Sequence, residues 1–294
     1  MAQTTQPRDV RASRPSKKRD GAFRAVVGVL TATIVAFVVA PTGHAAGRPP
    51  APRAARGPGS GSPEQSISTS TRPTQIERLV QRGRPIFCGG ETKPLVALTF
   101  DDGPGVLSPQ ALQTLREHHA TATFFLVGKL LDEPWLSGIL QQEVRFGAAF
   151  GDHTWDHVTM TGRSASFVDD QIDRTRRTIE ARTHHPVFLF RPPLGLHDEA
   201  LDASVRSKGM LEILWSIDTG DSQGANADQI LRQVREHLSP GDIVLMHDNR
   251  GTTEKALPHI LDLIQSRGYT TVTVPQLVQE DPPSNAQVRN GTCS

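Results

Sequence analysis

Asp101 and Asp102 stand side by side at the end of the apolar run Leu95–Phe100, and Gly103-Pro104 follows them. In a regular strand neighbouring side chains point to opposite faces. Two adjacent carboxylates therefore serve one site only where a strand ends and the backbone bends, and Gly-Pro supplies such a bend. Burying both without compensation is costly, so the pair demands a cation, a shared proton or open solvent. Taken alone, the stretch reads equally well as a solvated Asp-Gly turn.

The other polar residues lift it above that reading. His153 and His157 follow Ala148–Gly151, Arg191 follows Val187–Phe190, Asp218 follows Leu211–Ile217 and His247 follows Ile243–Met246. Each lies just past the carboxyl end of an apolar run, where parallel barrels build their active sites. His153 and His157 are four residues apart, a spacing expected to put both imidazoles on one side of a helical turn. Two histidines with one carboxylate leave coordination positions for water and substrate, the pattern of a catalytic metal site. No Glu follows His153, so the zinc-protease helix motif is absent. His118, His119, His184, His185, His197, His237 and His259 have no such company and are expected to be solvated.

The elements that must position these groups alternate in period. Leu95–Phe100, Thr121–Val127, the weakly marked Ala148–Gly151, Val187–Phe190, Leu211–Ile217, Ile243–Met246 and Tyr269–Val274 read as extended, with helical spacing between them. Ser108 is expected to cap the helix that it and Pro109 open. Strand–helix alternation implies parallel strands, and about seven units suggest an α/β barrel, with an open doubly wound sheet as the alternative.

The chain has 294 residues, with Pro and Gly concentrated in the first third, which places one folded domain over residues 76–294. Lysine and arginine number 32 against 31 acidic residues, which removes any general reason to expect nucleic acid as a partner. A basic stretch from Arg8 to Arg24, the apolar run Ala25–Ala40 and the small residues up to Ala46 read as an export signal over 1–46. Cleavage near Ala46 is expected, an uncleaved membrane anchor being the alternative. Residues 47–75 have almost no large apolar side chain and read as a flexible Pro/Gly/Ser-rich linker, so the N-terminal extension is expected to be disordered. The protein is thus expected outside the cytoplasm, secreted or held at the cell envelope. Cys88 and Cys293 bracket the domain, and in an oxidising compartment they are expected to pair. Asn290-Gly291-Thr292 fits a glycosylation acceptor, relevant only in a cell with that machinery.

Thr99-Phe100-Asp101-Asp102-Gly103-Pro104, His153-Thr154-Trp155-Asp156-His157, Arg191-Pro192-Pro193-Leu194-Gly195, Asp218-Thr219-Gly220-Asp221 and Leu245-Met246-His247 resemble, in that order, the five motifs of the polysaccharide deacetylases, the NodB-like carbohydrate esterase family 4. The resemblance covers about residues 94–280. It implies a distorted (β/α)7 barrel in a single catalytic domain and a divalent metal, usually zinc, with cobalt or manganese as alternatives. It also implies hydrolytic removal of acetyl groups from an extracellular glycan of peptidoglycan or chitin type. Two positions depart from the family pattern: Leu194 stands where an aromatic residue is usual, and Ser222 where the fourth motif normally ends in Trp.

Residues and resemblance lead to one chemistry. A metal held by Asp102, His153 and His157 would lower the pKa of a bound water and polarise the acetyl carbonyl. Asp101 is then the general base, Arg191 its orienting partner, and the Leu194 backbone N–H a donor to the oxyanion. His247, paired with Asp218, would protonate the departing amine. The chain is expected to act as a monomer on acetylated polysaccharide. The competing readings are an O-acetyl xylan esterase and a weakly active glycan-binding protein, the latter suggested by the aromatics missing at 194 and 222.

Overall fold

The computed structural model describes residues 74–293, so the expected export signal over 1–46 and nearly all of the expected linker over 47–75 lie outside the described residues. In chain order the elements are α1 (Gln75–Arg82), β1 (Leu95–Gly103), α2 (Ser108–Glu117), β2 (Thr123–Leu126), α3 (Ser137–Phe146), β3 (Ala149–Asp152), α4 (Ala165–Thr183) and β4 (Leu189–Phe190). There follow α5 (Glu199–Ser207), β5 (Leu211–Glu212), β6 (Ile217–Asp218), α6 (Ala227–His237), β7 (Ile243–His247), α7 (Gly251–Ser266), β8 (Thr270–Val272), α8 (Val274–Glu280) and α9 (Asn285–Asn290). Among the described residues no helix is long and apolar enough to cross a membrane.

Strand pairing is parallel throughout, in the order β5-β4-β3-β2-β1-β7-β6, with β8 on the lower part of β1. The parallel barrel expected from the alternation is therefore present, in a distorted and incompletely closed form. Both faces of the sheet are covered, which explains why its strands are near-continuous apolar runs. On the outer face Val96, Leu98, Phe100, Phe124, Phe190, Val244 and Met246 pack against the helices. The concave face holds Ala97, Phe125, Leu189, Leu211, Ile213 and Ile243, closed from below by α1, α8 and α9.

That alternation aims the polar residues. Ala97 is concave-facing, so the period of two carries Thr99 and Asp101 to the same face. By the same count Leu189 carries Arg191, and Ile243 carries Leu245 and His247. A strand that buries aliphatics at its start thus delivers a charged or titratable side chain into the barrel mouth at its end.

The expected single strand Leu211–Ile217 is broken into β5 and β6. The carbonyls of Ile213 and Leu214 turn to the Arg191 guanidinium, accepting from Nε and Nη2 at 3.1 Å each, and so leave the ladder. Ile86 fills in, pairing with Ile213 in parallel, and the next bridge joins Cys88 to Asp242. Cys88 is disulfide-bonded to Cys293, tying the entry of the domain to its C-terminal tail.

Candidate metal and acid–base site

Asp101 lies at the mouth of β1, 2% exposed, and its Oδ1 accepts from Arg191 Nη1 at 2.7 Å. Arg191 is fully buried and has no freedom to leave. It also donates to Thr99 Oγ1, Ile213 O and Leu214 O, and its guanidinium lies 4.0 Å from the Phe125 ring centroid. Every bond of this fork fixes the orientation of one carboxylate.

Asp102 would face the opposite way if the pleat continued. Its φ of 67° breaks the pleat and swings the carboxylate toward the same mouth. There Asp102 Oδ1 is 3.1 Å from His157 Nε2 and 3.7 Å from His153 Nε2. The histidines do not sit on a helical turn as the spacing suggested. Thr154 and His157 adopt φ of 67° and 54°, and the segment is a loop that folds the second ring back against the first, with centroids 4.9 Å apart. Asp152 shapes it by accepting from the Thr154 N–H at 2.8 Å. Left-handed backbone at non-glycine residues costs about 1–2 kcal/mol each and gathers where geometry is over-determined by function.

His153, 2% exposed, donates from Nδ1 to the Arg191 carbonyl at 2.8 Å, which leaves Nε2 with a bare lone pair aimed at the carboxylates. Burial pushes its pKa below the ordinary histidine value, against the pull of the Asp101 and Asp102 charges. A lone pair facing carboxylate oxygens is repulsive unless positive charge lies between them. Asp102 Oδ1 is buried with no hydrogen-bond partner. Ligand atoms of Asp102, His153 and His157 all lie within 4.8 Å of one another, so this donor set fits a divalent cation and is a possible metal site.

His247 is placed on the far side, its Nε2 4.0 Å from Asp102 Oδ2. Its partner is not Asp218. Asp221 Oδ1 accepts from His247 Nδ1 at 2.8 Å, and Asp221 Oδ2 accepts from the His247 backbone N–H and from Thr253 Oγ1. Asp218 instead accepts from the Gly220 N–H at 2.8 Å and the Gln223 amide at 3.4 Å, within the turn that Gly220 makes at φ 71°. That turn presents Asp221 to His247 and spends Asp218 on shaping it. Burial alone would lower the His247 pKa. The Asp221 hydrogen bond and charge, with Asp101 and Asp102, outweigh it and raise the pKa above the ordinary histidine value.

Leu194 sits in a 3₁₀ turn, Pro193–Gly195, at φ 60° and 70% exposed. The Trp215 ring lies beneath: a Cβ on Gly195 would come within 2.7 Å of it, so only glycine fits. Trp215 also lies over the Arg191 guanidinium and so joins this turn to the Asp101 support. Ser222 is exposed, its backbone N–H donating to Asp221 Oδ1 at 2.8 Å. Ser108 does not cap its helix, for no side-chain cap is made there. Its hydroxyl accepts from the Gly105 N–H and donates to buried Asp248, fixing the turn after Asp102 to the residue after His247. Burial pushes the Asp248 carboxyl up to about 7. Asp221, Trp215 and the Ser108–Asp248 pair are partners that sequence reasoning missed.

Two histidines, two aspartates, a buried arginine and an aspartate-held histidine gathered at the mouth of a parallel barrel define the class of protein as an α/β barrel with a candidate metal and acid–base site. A profile of the polysaccharide deacetylase family matches residues 89–213. The peptidoglycan-N-acetylglucosamine deacetylase PgdA of Listeria monocytogenes is 35% identical over 192 residues, 65% of this chain and 40% of that protein. A peptidoglycan-N-acetylglucosamine deacetylase of Bacillus cereus is 33% identical over 192 residues, 63% of this chain and 88% of its own. Among solved structures, a family 4 carbohydrate esterase pseudoenzyme from Bacillus anthracis has a TM-score of 0.64 at 30% identity, covering 68% of this chain and 70% of that one. The family 4 carbohydrate esterase from Streptomyces lividans has a TM-score of 0.57 at 30% identity, over 63% and 92%. The chain belongs to the polysaccharide deacetylase family. It matches well under half the length of the Listeria relative and most of the Bacillus cereus one.

Proposed function

We propose that the protein is a metal-dependent N-deacetylase acting on acetylated amino sugars of an extracellular polysaccharide, peptidoglycan or a chitin-type glycan. The observation that carries this reading is the arrangement around Asp102. A carboxylate held by Arg191 lies on one side and an imidazole held by Asp221 on the other, and the two-histidine, one-aspartate donor set lies between them. Asp102, His153 and His157 would hold the cation, most simply Zn²⁺ given two nitrogen ligands and one oxygen. When bound, it supplies positive charge that acidifies water and polarises the acetyl carbonyl.

The chain's own groups do the rest. Asp101, its Oδ1 engaged by Arg191, keeps Oδ2 to accept the proton of the attacking water. The Leu194 N–H, held in a strained turn over Trp215, stabilises the charge that develops on the acetyl oxygen. His247 is fixed by Asp221 as the tautomer with Nδ1 protonated, and Nε2, when protonated, gives its proton to the amine as the carbon–nitrogen bond breaks. Val106, Trp135, Leu194 and Leu196 are exposed in loops that follow β1, β2 and β4, apolar surface suited to the faces of sugar rings. The disulfide suits an oxidising, extracellular or envelope compartment.

A pseudoenzyme shares this fold, so fold alone does not separate a working enzyme from a glycan-binding relative. Acetate release from a panel of N-acetylated and O-acetylated glycans, with and without chelator, tests the reading. Release from the amino-sugar substrates that chelator abolishes supports it. Release from O-acetyl xylan only assigns the esterase reading, and no release from any glycan in metal-replete protein sinks both.

A further inference from the structure

Beyond the barrel mouth, His197, Asp202 and Glu212 bring three ligand-capable atoms within 4.8 Å of one another. They come from separate segments: His197 from the loop after the Pro193–Gly195 turn, Asp202 from the first turns of α5, and Glu212 from the last residue of β5. Nothing in their spacing joins them, and from the sequence His197 reads as a solvated, solitary histidine.

Glu212 is the anomaly. Leu211 faces the concave cluster, so its neighbour must face outward, beneath α5, and its register partner Phe190 packs with the outer hydrophobic cluster. An aliphatic side chain would suit that position. Glu212 is instead 4% exposed, and neither carboxylate oxygen has a hydrogen-bond partner. Leaving such a group uncompensated costs several kcal/mol in general, so something positive or a proton must accompany it. Asp202 Oδ1 accepts from His197 Nδ1 at 3.0 Å, so Asp202 stands between the exposed imidazole and the buried Glu212 carboxylate; on its other side a cavity of about 10 Å³, lined by Asp202 and Glu212 with Arg84 and Arg206, has room for no more than a water.

We infer that His197, Asp202 and Glu212 form a second divalent-cation site, distinct from Asp102, His153 and His157. One imidazole nitrogen and two carboxylate oxygens match Zn²⁺ or Mn²⁺, and the exposed His197 leaves a path of entry. Burial, with the charges of Asp202 and Asp198, pushes the Glu212 carboxyl up to about 9. Cation binding would displace the proton that Glu212 carries to solvent, while His197 contributes one ring nitrogen and keeps the N–H on the other. The site would tie the turn that carries Leu194 to β5, a structural role separate from the chemistry at the mouth. The rival arrangement is a permanent proton on Glu212 donated to Asp202, with no metal at all.

Metal content decides between them. The full chain is stripped with chelator, dialysed against Zn²⁺ or Mn²⁺ and assayed by elemental analysis, alongside Glu212→Gln, His197→Ala and Asp102→Ala, with circular dichroism as the folding control. Glu212→Gln and His197→Ala should each bind one equivalent less than the parent, and Asp102→Ala should keep the ion that they lose. Because His197 is exposed, its variant answers the question even if the buried substitution perturbs folding. Metal content unchanged by both Glu212→Gln and His197→Ala overturns the inference. A parent holding a single ion that those two lose and Asp102→Ala retains would uphold it while removing the metal from the barrel mouth.

Discussion

Asp221 grips His247 at both ends, accepting from the ring Nδ1 at 2.8 Å and from the backbone N–H at 2.7 Å. The first bond fixes the tautomer and the second fixes the residue. Asp221→Asn should reduce turnover about 10- to 100-fold, the usual effect of losing an orienting partner of an imidazole. Asp218→Asn, which alters only a turn, should leave turnover within a factor of about two. Equal losses in the two variants would contradict the assignment.

The same pair sets the pH response. His247 is raised, so its contribution to stability is fully present below the unfolded value near pH 6.5 and fades as pH climbs through the higher folded pKa. Asp221 is lowered, the bonds from His247 and Thr253 outweighing burial, so its contribution is present above about pH 3.9 and fades as pH falls through its folded pKa. A cation at the mouth would offset the Asp101 and Asp102 charges and leave Asp221 as the group that raises His247. In Asp221→Asn the alkaline limb of the kcat profile should therefore move to lower pH. A limb that stays in place would show that His247 is not the acid.

The two adjacent aspartates should separate cleanly. Asp102→Ala removes the carboxylate nearest His157 and should abolish metal binding at the barrel mouth. Asp101→Asn keeps the shape and the Arg191 contact on Oδ1 but cannot accept a proton, so turnover should fall by about 10² to 10⁴ with that metal retained. Elemental analysis and acetate release on both variants check this. Loss of that ion from Asp101→Asn and not from Asp102→Ala would exchange their roles.

What could be read in advance follows from locality. The barrel was legible because both sheet faces are buried, and runs such as Leu95–Phe100 and Ile243–Met246 announce themselves by composition. The delivery of Asp101, Arg191 and His247 to one face was legible because the strand period is two. Three things were not. Whether His153 and His157 share a helix depends on a φ of 54° at His157, which no propensity favours. Which of Asp218 and Asp221 reaches His247 depends on the turn at Gly220 and on β7, 26 residues away from Asp221. The split of Leu211–Ile217 depends on Arg191 taking two carbonyls from across the barrel.

The disulfide closes a loop of 205 residues, nearly the whole described domain. In the chain-entropy account such a loop stabilises by up to about 5 kcal/mol, chiefly by restricting the unfolded chain. Cys293→Ser should lower the urea midpoint accordingly while leaving metal content and acetate release intact, since Cys88 pairs with Asp242 just before β7, at the opposite end of that strand from His247 and the barrel mouth. A midpoint that does not move would mean that the bond contributes nothing to the domain's stability.

Leu194 offers the sharpest test of substrate contact. Its backbone is already at φ 60°, so replacing one L residue by another adds little backbone strain, and its 70% exposure leaves room for a larger side chain. If its N–H faces the acetyl oxygen, its side chain borders the acetyl methyl, which Leu covers less fully than a ring would. Leu194→Tyr should then bury about one more methyl-sized group, roughly 0.8 kcal/mol or a four-fold gain in kcat/KM, with thermal stability unchanged. Steady-state kinetics on an N-acetylated oligosaccharide measure it. No gain, with Leu194→Ala equally neutral, would place this side chain away from the acetyl group and leave the exposed turn without a role in substrate contact.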